Sequence, residues 1–86
     1  MAIIEQYDWE VYCGTVAAVV GSGSEGTREK AVLAADAVLK SWLDDGIKRL
    51  SASIEGTAFD EVELEKLGMT ETKQIGEWVW RDGVWQ

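Results

Sequence analysis

The chain reads as an α+β protein: a small antiparallel sheet with one long helix packed on a face and a second short helix. Three observations lead there. YDWEVYC (7–13) sets Tyr7, Trp9, Val11 and Cys13 against Asp8, Glu10 and Tyr12, the period-two pattern of a half-buried strand. Residues 27–46 carry apolar side chains at helical spacing between two cap signals. Asp82-Gly83 between two apolar stretches is the strongest short-range hairpin signal in the chain.

In order, Gly14-Thr15 predicts a two-residue type II′ turn between strand 7–13 and a second strand, VAAVV (16–20), forming an N-terminal hairpin. GSGSEG (21–26) reads as a mobile loop. Thr27 is the expected N-cap of the long helix. Ala31, Val32, Ala35, Val38, Leu39, Trp42 and Leu43 form its apolar face, and Gly46 takes the C′ position. IKRLSASIE (47–55) alternates as a middle strand. Thr57-x-x-Asp60 resembles a capping box, and with the Glu, Leu and Lys that follow it predicts a short helix over 57–68. MTETKQIG (69–76) reads as a polar connection. In the C-terminal Trp hairpin, Asp82-Gly83 sets Arg81 opposite Val84 and Trp80 opposite Trp85. The latter is a non-hydrogen-bonded pair with Trp78 on the same face. Eighty-six residues make a single domain, 1–86.

Gly21, Gly23 and Gly26 match G-x-G-x-x-G, the spacing that lets a backbone approach a pyrophosphate at a helix N-terminus. The surroundings argue against a nucleotide. Glu25 puts a carboxylate where phosphate would lie, no G-K-[ST] follows, and there is no room for two βαβαβ halves. No cofactor is expected. The chain has no histidine, so the commonest general base and metal ligand are missing. Cys13, the only cysteine, excludes an intrachain disulfide and sits in a predicted strand, where a buried thiol is inert. Asp60, Glu61, Glu63 and Glu65 lack the spacing of a calcium loop. We therefore expect neither a catalytic nor a metal site.

The acidity is the positive signal. Sixteen Asp and Glu against eight Lys and Arg give a net charge of −8, which disfavours direct binding to nucleic acid or anionic membrane and favours a basic partner. Asp44 and Asp45 fall at a helix C-terminus, where the helix dipole disfavours anions, although Lys48 and Arg49 follow closely. Residues 55–71 hold six acids and one base. Five tryptophans in 86 residues are a second signal. Trp78, Trp80 and Trp85 serve either as packing under the helix or, if exposed, as anchors for a partner. No leader-like N-terminus or long apolar run is present, so a cytoplasmic location is expected, that of the host cell for a phage-encoded chain.

At the level of class, this acidic single-domain layout without catalytic residues resembles small phage-encoded inhibitors of bacterial defence, of the anti-CRISPR and anti-restriction kind. The resemblance implies a non-catalytic cytoplasmic inhibitor of a basic protein or nucleoprotein complex that handles nucleic acid. Asp44, Asp45, Glu55, Asp60, Glu61, Glu63 and Glu65 would supply charge in place of phosphates, and Trp78, Trp80 and Trp85 would supply anchoring. Two alternatives stand beside it. One is a structural or assembly subunit that forms a homodimer or larger homo-oligomer through the Trp hairpin; the other is a small-ligand module using the glycine stretch.

Overall fold

Among the described residues, alternating sequences build five antiparallel strands, and one helix covers one side of the sheet they form. The computed structural model describes residues 3–60 and 72–86. The elements are β1 (Ile3–Cys13), β2 (Ala18–Glu25), α1 (Arg28–Asp44), β3 (Leu50–Asp60), β4 (Lys73–Arg81) and β5 (Val84–Trp85). They pair in the order β2-β1-β3-β4-β5, every pair antiparallel. The result is α+β.

The helix forms where its spacing and caps predict. Thr27 is extended, and its Oγ1 accepts a hydrogen bond from the Lys30 N–H at 3.2 Å. Gly46 closes the other end with φ +83°, which glycine adopts without strain. Ala31, Ala35 and Leu39, one turn apart, are the buried positions of α1. Two of the three are alanines, so the helix axis can lie close to the sheet. Beneath it Val11, Ala52 and Trp80 meet Ala35 and Leu39, and Tyr7 and Ile54 meet Ala31.

The glycines of β2 are sites of close approach. Residues 21–25 form a regular ladder with β1, in which Gly23 pairs with Trp9 and Gly21 with Val11. The Trp9 indole lies over this stretch: a Cβ on Gly23 would stand 2.8 Å from its Nε1, and one on Gly21 would stand 3.0 Å from Val38 and 3.3 Å from Trp9. The same packing recurs at Gly56, where a Cβ would meet Tyr7 at 2.9 Å, and at Gly76 beneath Trp78. Aromatic rings laid on glycines fill the space that side chains would occupy elsewhere in the sheet.

Several expectations are thereby corrected. GSGSEG is strand as far as Glu25, because Trp9 covers Gly21 and Gly23. The N-terminal connection spans residues 14–17 with Ala17 at φ +53°; Gly14 is used instead to donate to the Arg49 carbonyl at 2.7 Å, extending the β1–β3 pairing. The second strand consequently starts at Ala18, and a bulge between Val11 and Tyr12 resets its register. The middle strand begins at Leu50 and runs on to Asp60, paired along β1 as far as Ile3, so residues 57–60 are strand where a short helix is predicted. The rest of that helix lies outside the described residues. Lys73–Gly76, expected as connection, belongs to β4. The terminal hairpin forms as predicted. Asp82 and Gly83 both have positive φ, as a type I′ turn requires, and Val79 exchanges both backbone bonds with Gln86, which makes Trp80–Trp85 the non-hydrogen-bonded pair.

Gly23→Ala is expected to cost about 1–3 kcal/mol, because the indole must leave its seat. Combined with Trp9→Leu, the loss should be well below the sum of the two singles. A urea-denaturation double-mutant cycle measures this coupling. An unchanged midpoint for Gly23→Ala would place Trp9 elsewhere.

Candidate functional site

The side chains on the sheet face away from α1 follow from strand alternation. Odd positions of β1 and even positions of β3 point to the helix, so Asp8 and Glu10 of β1 and Ser53 and Glu55 of β3 point the other way. Register then aligns them. One row runs Ser24–Asp8–Glu55–Glu77 and the next runs Ser22–Glu10–Ser53–Val79. Four carboxylates, those of Asp8, Glu10, Glu55 and Glu77, thus occupy adjacent places on three neighbouring strands, all of them exposed. A groove of about 360 Å³ crosses β2, β1 and β3 here, lined by Asp8, Glu10 and Glu55 together with Ser22, Ser24 and Ser53.

Hydrogen-bond parity fixes how close these groups stand. Val79 spends its N–H and C=O on Gln86, at 3.1 and 2.8 Å. Antiparallel pairs alternate, so counting inward makes Asp8–Glu55 a hydrogen-bonded pair and Glu55–Glu77 a non-hydrogen-bonded one. Side chains approach more closely in the second type, with Cα atoms about 4.5 Å apart. Like charges directly opposite each other destabilise a sheet. Glu55 meets one on each side.

Asp8 differs in being held. The Gln6 side-chain amide donates to its Oδ1 at 2.9 Å, and the Ser24 hydroxyl donates to the same oxygen. These bonds, that from Gln6 foremost, hold the Asp8 carboxyl below its ordinary range against a smaller opposing effect of partial burial. On the helix side, burial above all, together with donation to Glu5, raises the Tyr7 hydroxyl. The acidic band is flanked by apolar groups: Tyr12 opposite Val19 at one end, both exposed, and Ile4 opposite Phe59 at the other. Two cations, Arg49 against Gly14 and Arg81, lie at the Tyr12 end of this face. No three potential metal donors converge among the described residues.

Of the residues singled out from sequence, Glu55 lies at the centre of this face. Asp44 ends α1 and Asp45 caps it, both exposed, on the helix side and apart from Glu55. Asp60 closes β3 opposite Ile3. Glu61, Glu63 and Glu65 lie outside the described residues. The tryptophans are used for packing. Trp80 is 9% exposed within the core, and half-buried Trp85 donates from Nε1 to Asp36 of α1 at 2.9 Å. Trp78 is half-buried, tilted against Tyr7 with the Arg28 guanidinium 5.4 Å from its ring centroid. Asp8, Glu10 and Glu77 were missed as site residues. The alternation that marks 7–13 as a strand already puts Asp8 and Glu10 on one face. Only the register of β3 and β4 shows that Glu55 and Glu77 join them.

No family model, curated protein or solved structure matches this chain. Among the described residues, no helix is long and apolar enough to cross a membrane.

Glu77→Gln should raise stability, by a few tenths up to about 1 kcal/mol, because it removes one of two like-charged neighbours of Glu55. Thermal denaturation at low salt measures this, and a lower Tm would mean that the carboxylate is held by attraction. Asp8 gives the opposite sign. Its lowered folded pKa contributes stability above the ordinary value of 3.8, and this is lost as pH falls through the folded value. Wild type should therefore exceed Asp8→Asn in denaturation midpoint at neutral pH. The difference should vanish in acid, below the folded pKa.

Proposed function

We propose that the protein is a small, non-catalytic binding protein whose uncovered sheet face occupies a basic, nucleic-acid-handling surface of another protein. The observation that carries this reading is the position of Glu55 between two like-charged cross-strand neighbours on a face that α1 leaves bare. An arrangement that costs stability without visible compensation is where function is to be sought. Carboxylates on three neighbouring strands concentrate negative charge of the kind that a surface built to receive phosphates attracts. Ser22, Ser24 and Ser53 add hydroxyls among them, and exposed Tyr12 provides an aromatic contact at the edge of the charge. The resemblance to small acidic phage inhibitors makes a bacterial defence complex the proposed class of partner. Trp80 and Trp85 are engaged beneath α1, which favours the carboxylate face over assembly through the C-terminal hairpin.

The partner can be recovered on the immobilised protein from bacterial lysate and identified by mass spectrometry. Its association is then measured at low and high salt. Reversing Glu10, Glu55 and Glu77 to lysine adds two charges each and takes the net charge from −8 to −2. Association should slow by about 10-fold or more while the fold holds, and binding should weaken as salt rises and when DNA or RNA is added. A partner bound equally well by the triple variant, at either salt and with nucleic acid in place, would contradict the proposal.

A further inference from the structure

We propose that the outer edge of β2 takes up an extended segment of the partner as a sixth strand, with Lys or Arg at alternate positions of that segment. The inference rests on the acidic-face reading above and adds how the partner docks. Its first support is the edge itself. Among the described residues nothing pairs with the far side of β2, whereas the opposite end of the sheet closes on a strand of only two residues. Edge strands are ordinarily guarded by lysine, proline or brevity. Ala18–Glu25 has eight residues and neither of those residue types. Its bulge lies near Val20, so Gly21–Glu25 remains regular.

Parity identifies which groups are free. Counting inward from Val79–Gln86, Glu10–Ser53 is hydrogen-bonded and Glu10–Ser22 is not. Gly21, Gly23 and Glu25 therefore point their backbone groups at β1, and Ser22 and Ser24 point theirs outward. The same two residues turn their side chains onto the acidic face. A strand added here pairs directly with Ser22 and Ser24, and its residues opposite them, two apart, share their face. Serine is short, so a long cationic side chain from those positions can lie across it toward Asp8 and Glu10 on the next strand. Charge complementarity selects this occupant over a second copy. β2 contains no cation and one acid, so self-pairing would join two chains of −8 with nothing to neutralise them.

The test uses a labelled peptide alternating Lys and Thr over seven residues. A twin of equal charge carries N-methyl groups on its lysine backbone nitrogens and cannot donate to the edge. An uncharged peptide alternates Gln and Thr. The Lys–Thr peptide should bind at least about tenfold more tightly than its twin and should slow amide exchange at Ser22 and Ser24. Ser22→Pro removes only an outward N–H, a place where edge strands tolerate proline, and should bring the Lys–Thr peptide to the level of the twin. The peptide comparison needs no variant, so a misfolded Ser22→Pro leaves the test intact. Equal binding of the twin, with both peptides weakened by Glu10→Gln, would overturn strand addition while leaving the acidic face in place. Equal binding of the uncharged peptide, no binding of any peptide, or a concentration-dependent dimer abolished by Ser22→Pro would also overturn it. The last would assign the edge to a second copy.

Discussion

The rest of the structure depends on the Trp9 indole lying over Gly21 and Gly23 of β2. With a Cβ at position 23 only 2.8 Å from the ring, that strand cannot carry ordinary side chains toward the helix. Val38 of α1 reaches Gly21 through the same gap, so the ring and the glycines together set how closely helix and strand approach. The arrangement has a cost. The Trp9 indole N–H is buried without an acceptor among the described residues, a loss of about 1–3 kcal/mol that packing must offset. Its consequence on the other face is a strand that presents only Ser22 and Ser24 beside the acids of β1.

Helix and carboxylates divide the two faces of one sheet. Ala31, Ala35 and Leu39 bury the first against Val11, Ile54, Ala52 and Trp80. The second is left to Asp8, Glu10, Glu55 and Glu77, and there the like charges on either side of Glu55 oppose folding. Burial of the first face must exceed the repulsion on the second. Trp85 contributes from the far side by binding Asp36, which ties the last strand to the helix. Trp80 and Trp85 of the terminal hairpin add to the core that α1 covers.

The legible parts of the fold were those that local chemistry determines. Thr27 and Gly46 bounded the helix, and Asp82-Gly83 determined the final turn and the Trp80–Trp85 pairing. What could not be read was set by contacts distant in sequence. Gly21 and Gly23 have the composition of a loop, and only a ring twelve or more positions away makes them strand. Thr57–Asp60 carries a helix-start pattern, yet pairing with Ile3–Gln6 extends it as β3. The site was legible in the same partial way. Glu55 was found through the density of acid around it, whereas Glu77 joins it only through the register of β4 on β3. Asp44 and Asp45 broke a local rule at the end of α1, but the fold sets them on the other side of the sheet. The tryptophans are abundant because the core and its glycines need broad rings.

The central claim is that the face α1 leaves uncovered is the working surface. Amide hydrogen exchange of this chain, alone and with the partner recovered on it, tests that most directly. The account predicts new protection at Asp8–Glu10, Ser22–Ser24 and Ser53–Glu55, with the exposed outer side of α1 around Leu33 unchanged. Protection confined to the outer side of α1, or to the Asp82-Gly83 turn, with the acidic face exchanging as in the free protein, would contradict it.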